Sequence, residues 1–129
     1  MLRQRLLVVS ATQDTGAWLS EMLGLAGDEV EAVTDGAVAF QRVWDADYDV
    51  IVTELGIPGI DGRDLYMAFQ NTWPELTGRM VFICAEPSES IEAFVASTGV
   101  PFVRGPVTLM DLREAVRAVR SLPRPRTFV

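Results

Sequence analysis

The chain has 129 residues, 49% hydrophobic and 22% charged, which is enough for one domain with a proper core. Its formal net charge of −7 argues against a general nucleic-acid binder, which needs a basic face. All 11 basic residues are arginines and histidine is absent, which removes histidine bases and ligands, Ser-His-Asp triads, phospho-histidine transfer and lysine chemistry together.

Leu6 to Val9 is a continuous apolar run, as in a central buried strand. Thr12 or Asp14 suits the cap of a first helix, with Leu19, Met22 and Leu23 on one face and Gly24 and Gly27 as stop signals. Glu29 to Val33 alternates, which predicts a half-exposed edge strand. Thr34-Asp35 opens a second helix carrying Phe40, Val43 and Trp44. Val50-Ile51-Val52 is a buried strand ending in Thr53-Glu54, followed by an apolar loop with Pro58-Gly59 and a helix start at Asp61-Gly62. The third helix sets Leu65, Ala68 and Phe69 on one face.

Met80 to Ile83 is another buried strand. Pro87-Ser88 opens a fourth helix with Ile91, Phe94 and Val95, ending near Gly99. Phe102-Val103 is a short strand, and Pro101 at its start suits an edge. Thr108 and Asp111 form a capping-box pattern before a last helix whose stripe is Leu109, Leu112, Val116 and Val119. Arg113, Arg117 and Arg120 fall on its solvent side, and the three tryptophans Trp18, Trp44 and Trp73 read as core or rim residues. Five strands alternating with five helices predict an α/β doubly wound parallel sheet covered on both faces. The domain is expected over residues 1–122, with 123–129 as a Pro/Arg-rich tail or linker.

Glu54 is the first candidate for function. A carboxylate at the end of a buried strand is costly unless it faces a crevice or finds a partner. In open parallel sheets the crevices lie at the carboxyl ends of the strands. Asp14 and Glu86 are the nearest acids that would rebuild a metal site with Glu54; they read more simply as a helix cap and helix-entry charge. The single Cys84 has no internal disulfide partner, as expected in a reducing compartment, and with no lysine or histidine to lower its pKa it reads as inert. No segment approaches about 20 apolar residues and the start MLRQRLLVVS is too soon polar for a signal peptide, so no membrane contact and a cytoplasmic location are expected.

Tyr48-Asp49, the strand after it and Pro58-Gly59-Ile60-Asp61-Gly62 resemble the receiver domain of two-component response regulators. Leu6-Leu7-Val8-Val9, Ala85-Glu86 and Pro106 support the resemblance, which covers about Leu6 to Leu122. It implies a flavodoxin-like fold with strand order 2-1-3-4-5 and five helices. It also implies a chemistry, phosphoryl transfer from a kinase histidine to an aspartate at the end of strand three. An acidic pair after strand one and a backbone carbonyl hold Mg²⁺, and a hydroxyl and a lysine stabilise the phosphoryl oxygens. Positioned charge does nearly all the work in such transfers.

Carried onto this chain, that set is almost empty. The acceptor position holds Glu54, the acidic pair is Ser10 and Ala11, the hydroxyl position is Cys84 and the lysine position is Gly105. The Gly56 carbonyl alone remains, and Phe102 stands at the family's switch aromatic. Glutamate is one methylene longer than aspartate, and a misplacement of about an ångström costs roughly a hundredfold in rate. The expectation is therefore a phosphorylation-independent, receiver-like signalling domain with no catalytic residues, no metal ligands and Mg²⁺ binding lost. It would act by protein–protein interaction with a signalling protein such as a histidine kinase or output domain, or by homodimer formation through the last helix. Phe102, Arg113, Arg117 and Arg120 are the contact candidates. Two alternatives stay open: an atypical phosphoacceptor receiver of a response regulator or hybrid histidine kinase, and a small-ligand sensor using the vacated strand-end crevice.

Overall fold

The computed structural model describes residues 3–120; the expected tail over 123–129 lies outside the described residues. Five strands form one parallel sheet in the order β2-β1-β3-β4-β5, with β1 Arg5–Val9, β2 Glu29–Val33, β3 Val50–Glu54, β4 Met80–Cys84 and β5 Phe102–Arg104. The helices between and after them are α1 Gln13–Gly24, α2 Gly36–Asp45, α3 Gly62–Thr72, α4 Glu89–Thr98 and α5 Leu109–Arg120. This is the doubly wound architecture expected from the alternation of elements, with the strand order that the resemblance implies.

The period of two in each strand sorts the core into two halves. Leu7, Val9, Ile51, Met80 and Phe82 face one way and pack against Ala39 and Val43 of α2, Leu65 and Phe69 of α3, and Val95 of α4. Leu6, Val8, Val50, Val52, Val81 and Ile83 face the other way, onto Leu19 and Leu23 of α1 and Leu112, Val116 and Val119 of α5. Leu109, expected in that stripe, is only half-buried because it is the first residue of α5, where the helix is still leaving its loop. Trp18 and Trp44 lie on the rim, both well exposed.

Side-chain oxygens start the helices, as the sequence indicates. Thr12 accepts from the Thr15 N–H, Asp35 from Ala37 and Val38, Asp61 from Asp64, Ser88 from Ile91, and Thr108 from Asp111. Thr12, not Asp14, is the α1 cap. The loop after β3 is pinned from the side. The Gly36 N–H donates to the Pro58 carbonyl at 3.1 Å, and a Cβ on Gly36 would sit 1.8 Å from the Ile60 oxygen.

The Tyr48-Asp49 pair works at the amino end of the strands. The Asp49 carboxylate accepts the Arg5 N–H at 2.9 Å, and its carbonyl accepts from the buried Arg79 guanidinium at 3.3 Å. The Tyr48 hydroxyl donates to Glu31 at 2.7 Å, and Arg42 pairs with the same carboxylate at 2.6 Å. Arg42, then burial opposing it and Tyr48 assisting, leave the Glu31 carboxyl below its ordinary range. Arg79 ends a 3₁₀ turn, Pro74–Arg79, that the sequence reading did not anticipate.

Leu112, Val116 and Val119 pack α5 onto one face of the sheet as part of the core. Leu112→Ala is expected to lower stability by about 3 kcal/mol, whereas Arg113→Ala one position later should stay within about 0.5 kcal/mol. Urea denaturation of both variants checks this; equal effects would contradict the packing of α5.

Candidate functional site

Ser10, Ala11, Glu54, Gly56, Cys84 and Gly105 all come from the carboxyl ends of β1, β3, β4 and β5 or the first residues beyond them. Parallel strands bring their ends to one edge of the sheet, so the structure gathers residues that are up to 95 positions apart in the chain. Beside them is a cavity of about 420 Å³, lined among others by Glu54, Gly56, Cys84, Trp18 and Glu86.

Glu54 is the last residue of β3 and is half-buried. Its carboxylate accepts the Ala11 N–H at 3.4 Å, long for a charge-assisted bond. Among the described residues no cation pairs with it; the ion pairs use Arg5, Arg42 and Arg104 with Glu29, Glu31 and Glu92. Burial pushes the Glu54 carboxyl above the ordinary glutamate value of 4.5, and the Ala11 bond opposes that only in part.

The positions that hold metal and phosphoryl groups in the resembled family have other work here. Ser10 is fully buried and its hydroxyl donates to the Thr12 carbonyl at 2.8 Å, next to the cap of α1. Gly16 leaves room for that hydroxyl: a Cβ there would lie 2.7 Å from it. Ala11 offers the site only its backbone N–H. Cys84 is half-buried at the end of β4. Gly105 donates its N–H to the Cys84 carbonyl at 3.3 Å, and a Cβ on it would meet the Ala85 Cα at 2.7 Å and the Ala85 oxygen at 2.8 Å. Any side chain at 105, lysine included, therefore requires backbone to move. Among the described residues no three His, Cys, Asp or Glu side chains come together as metal ligands.

The contact candidates lie elsewhere. Phe102 is half-buried on the edge strand, with the Arg104 guanidinium 4.6 Å from its ring centre. Arg104 points away from Glu54, as strand alternation requires, and pairs with Glu92 of α4 at 2.9 Å. That pair holds the Glu92 carboxyl below its usual range. Arg113 and Arg117 are exposed on α5; the Arg120 side chain lies outside the described set. The sequence reading did not place Trp18 or Val107 at the site, though both line the cavity. Exposed Trp18 falls off the Leu19/Leu23 stripe of α1, which was the available signal.

Two outcomes follow from this geometry. Gly105→Lys should destabilise by about 2 kcal/mol, as overpacking against fixed backbone does; urea denaturation reads it, and an unchanged midpoint would contradict the close approach. Glu54 binds its proton more tightly folded than unfolded, so its contribution to stability declines as pH rises above about 4.5 towards and through its raised folded value. Glu54→Gln removes that decline. Its stability relative to the parent chain should therefore be least near the acid end and grow towards neutral pH, in denaturation series at stepped pH; parallel curves would contradict the desolvation.

No protein-family model matches the chain. It is 32% identical over 144 aligned positions to a protein-glutamate methylesterase/protein-glutamine glutaminase 1 of Anaeromyxobacter dehalogenans (strain 2CP-C), covering 94% of this chain and 41% of that protein. It is 31% identical over 117 positions to the transcriptional regulatory protein HprR of Escherichia coli (strain K12), covering 88% of this chain and 50% of that protein. The chain thus spans about half the length of the curated relatives it matches. Among solved structures, chemotaxis protein CheY4 of Vibrio cholerae superposes with a TM-score of 0.80 at 21% identity, covering 92% of this chain and 99% of that one. A putative response regulator from Chloroflexus aurantiacus gives 0.84 at 21% identity, covering 94% and 100%. The signal receiver domain of an HD domain-containing protein from Pseudomonas fluorescens Pf-5 gives 0.82 at 18% identity, covering 93% and 96%. In sequence and in its five-stranded flavodoxin-like fold, the chain is a receiver-like domain similar to those of response regulators.

Proposed function

We propose that this chain is a receiver-like signalling domain of a two-component system that does not run aspartyl phosphoryl transfer and works through protein–protein contacts. The observation that carries the reading is the strand-end constellation itself. A phosphoryl site needs concentrated positive charge around a free carboxylate nucleophile. Here the Ser10 hydroxyl is committed to Thr12, Ala11 supplies no acid, and Gly105 has its backbone against Ala85. Among the described residues Glu54 is left as a carboxylate without a cation, in surroundings that disfavour its charged form. Mg²⁺ would find one or two carboxylates and would have to shed tightly held water for them. The reading includes loss of Mg²⁺ binding.

The contacts are assigned to two exposed places: the β5 edge, where Phe102 and Arg104 lie beside Asp111, Glu114 and Ala115 of α5, and the α1-facing side of α5, where Arg113 and Arg117 line a groove with Leu23 and Ala26. Its partner is a histidine kinase, an output domain or a second copy of the chain. Arg113 and Arg117 sit beside Glu114 and the well-exposed Met110, a mixed polar and apolar surface of the kind that interface rims and cores share.

An amide NMR titration with Mg²⁺ followed by beryllofluoride, a phosphoryl mimic, tests the proposal. The expected result is no saturable shift at Ser10, Ala11, Glu54, Cys84 or Gly105. Shifts clustered at those residues would overturn it and favour a working acceptor of unusual composition.

A further inference from the structure

The cavity beside Glu54 has a lining opposite in character to a phosphoryl site. Its volume of about 420 Å³ lies within the roughly 300–1,000 Å³ of small-molecule sites. Leu19, Ile83 and Val107 supply apolar wall, and Trp18 lines it while 45% exposed. The formal charges among the lining residues are those of Glu54 and Glu86, both negative. An anion entering would meet two like charges and no compensating arginine. A cation would meet a half-buried carboxylate whose one recorded hydrogen bond is 3.4 Å long.

We infer that this cavity binds a small organic cation, an amine or quaternary ammonium with an apolar body, received by the Glu54 carboxylate and the Trp18 indole. An unpaired carboxylate held partly out of water is relieved by an opposite charge brought into contact with it. An aromatic face attracts the same charge, and most strongly when the ring is that of tryptophan. The apolar wall selects for an organic body over a metal ion: a divalent cation needs several oxygen donors to replace its water, and the described residues do not assemble them. A quaternary ammonium gives up little hydration and gains contact with Leu19, Ile83 and Val107. The inference rests on the reading that this site no longer holds Mg²⁺ and phosphoryl groups, since in a working acceptor site the carboxylate would be engaged by the metal.

The test titrates the full chain with benzyltrimethylammonium near neutral pH and follows amide shifts. Benzyl alcohol serves as the neutral counterpart, and Mg²⁺ with beryllofluoride is run on a parallel sample. The expected result is a saturable shift at Ala11, Glu54 and Cys84 with the cation alone. Glu54→Gln should weaken it about tenfold, the scale of one charge-assisted contact. Trp18→Leu, at an exposed position that tolerates the change, should weaken it about threefold. Unchanged spectra away from the cavity confirm that both variants are folded. No saturable shift, equal binding of benzyl alcohol, or undiminished binding by Glu54→Gln each overturns the cation site. If the Mg²⁺ sample stays flat in those cases, the cation site alone fails. If it responds at Ser10, Glu54 and Cys84, the reading beneath it fails as well.

Discussion

The structure hangs on β3, a strand enclosed on every side. Val50, Ile51 and Val52 are wholly buried, with β1 on one flank, β4 on the other, and a helix layer over each face. A strand so placed has no room for a polar side chain until it reaches the edge of the layers. Thr53 is still buried and satisfies its hydroxyl on the Glu54 carbonyl at 2.8 Å. Glu54 is the first residue able to reach water, and it emerges where the neighbouring parallel strands also end. The position of the candidate site is therefore a consequence of core packing, whatever chemistry it supports.

What the site has become follows from its neighbours. Two of the departures from the resembled pattern are tied into packing and not merely different side chains. Ser10 and Gly16 form a mutual fit at the start of α1, and Gly105 lies against the backbone of Ala85. Such close approaches link each position to its surroundings, and at 105 an added side chain meets the Ala85 backbone. Glu54 differs in kind: it lines the cavity, and burial disfavours its charged form. The cavity in front of it is lined by Trp18 and Val107 together with two acids, Glu54 and Glu86.

Much of the fold was legible because it rests on local signals. The continuous apolar runs at Leu6–Val9, Val50–Val52 and Met80–Ile83 mark strands buried on both faces, and Thr12, Asp35, Asp61, Ser88 and Thr108 mark helix starts by their side-chain oxygens. The strand-end residues were legible by spacing once the resemblance was seen. What stayed hidden depends on contacts between distant segments. Arg79 is 1% exposed because it reaches Asp49, 30 positions away, and a lone arginine after a polar turn carries no sign of that. Gly105 is visible as a glycine, but the nearness of Ala85 is not. Trp18 lines the cavity with Glu54, Ile83 and Cys84, a meeting of distant segments that no helical periodicity encodes.

A receiver-like frame without phosphoryl chemistry, as proposed, takes no phosphoryl group from a small-molecule donor. Intact-protein mass after incubation with acetyl phosphate and Mg²⁺ tests it most directly, since that donor bypasses any need for a partner kinase. The expected mass is identical to that of the untreated chain. A gain of one phosphoryl group that is abolished by Glu54→Gln would contradict it and return Glu54 to the role of acceptor.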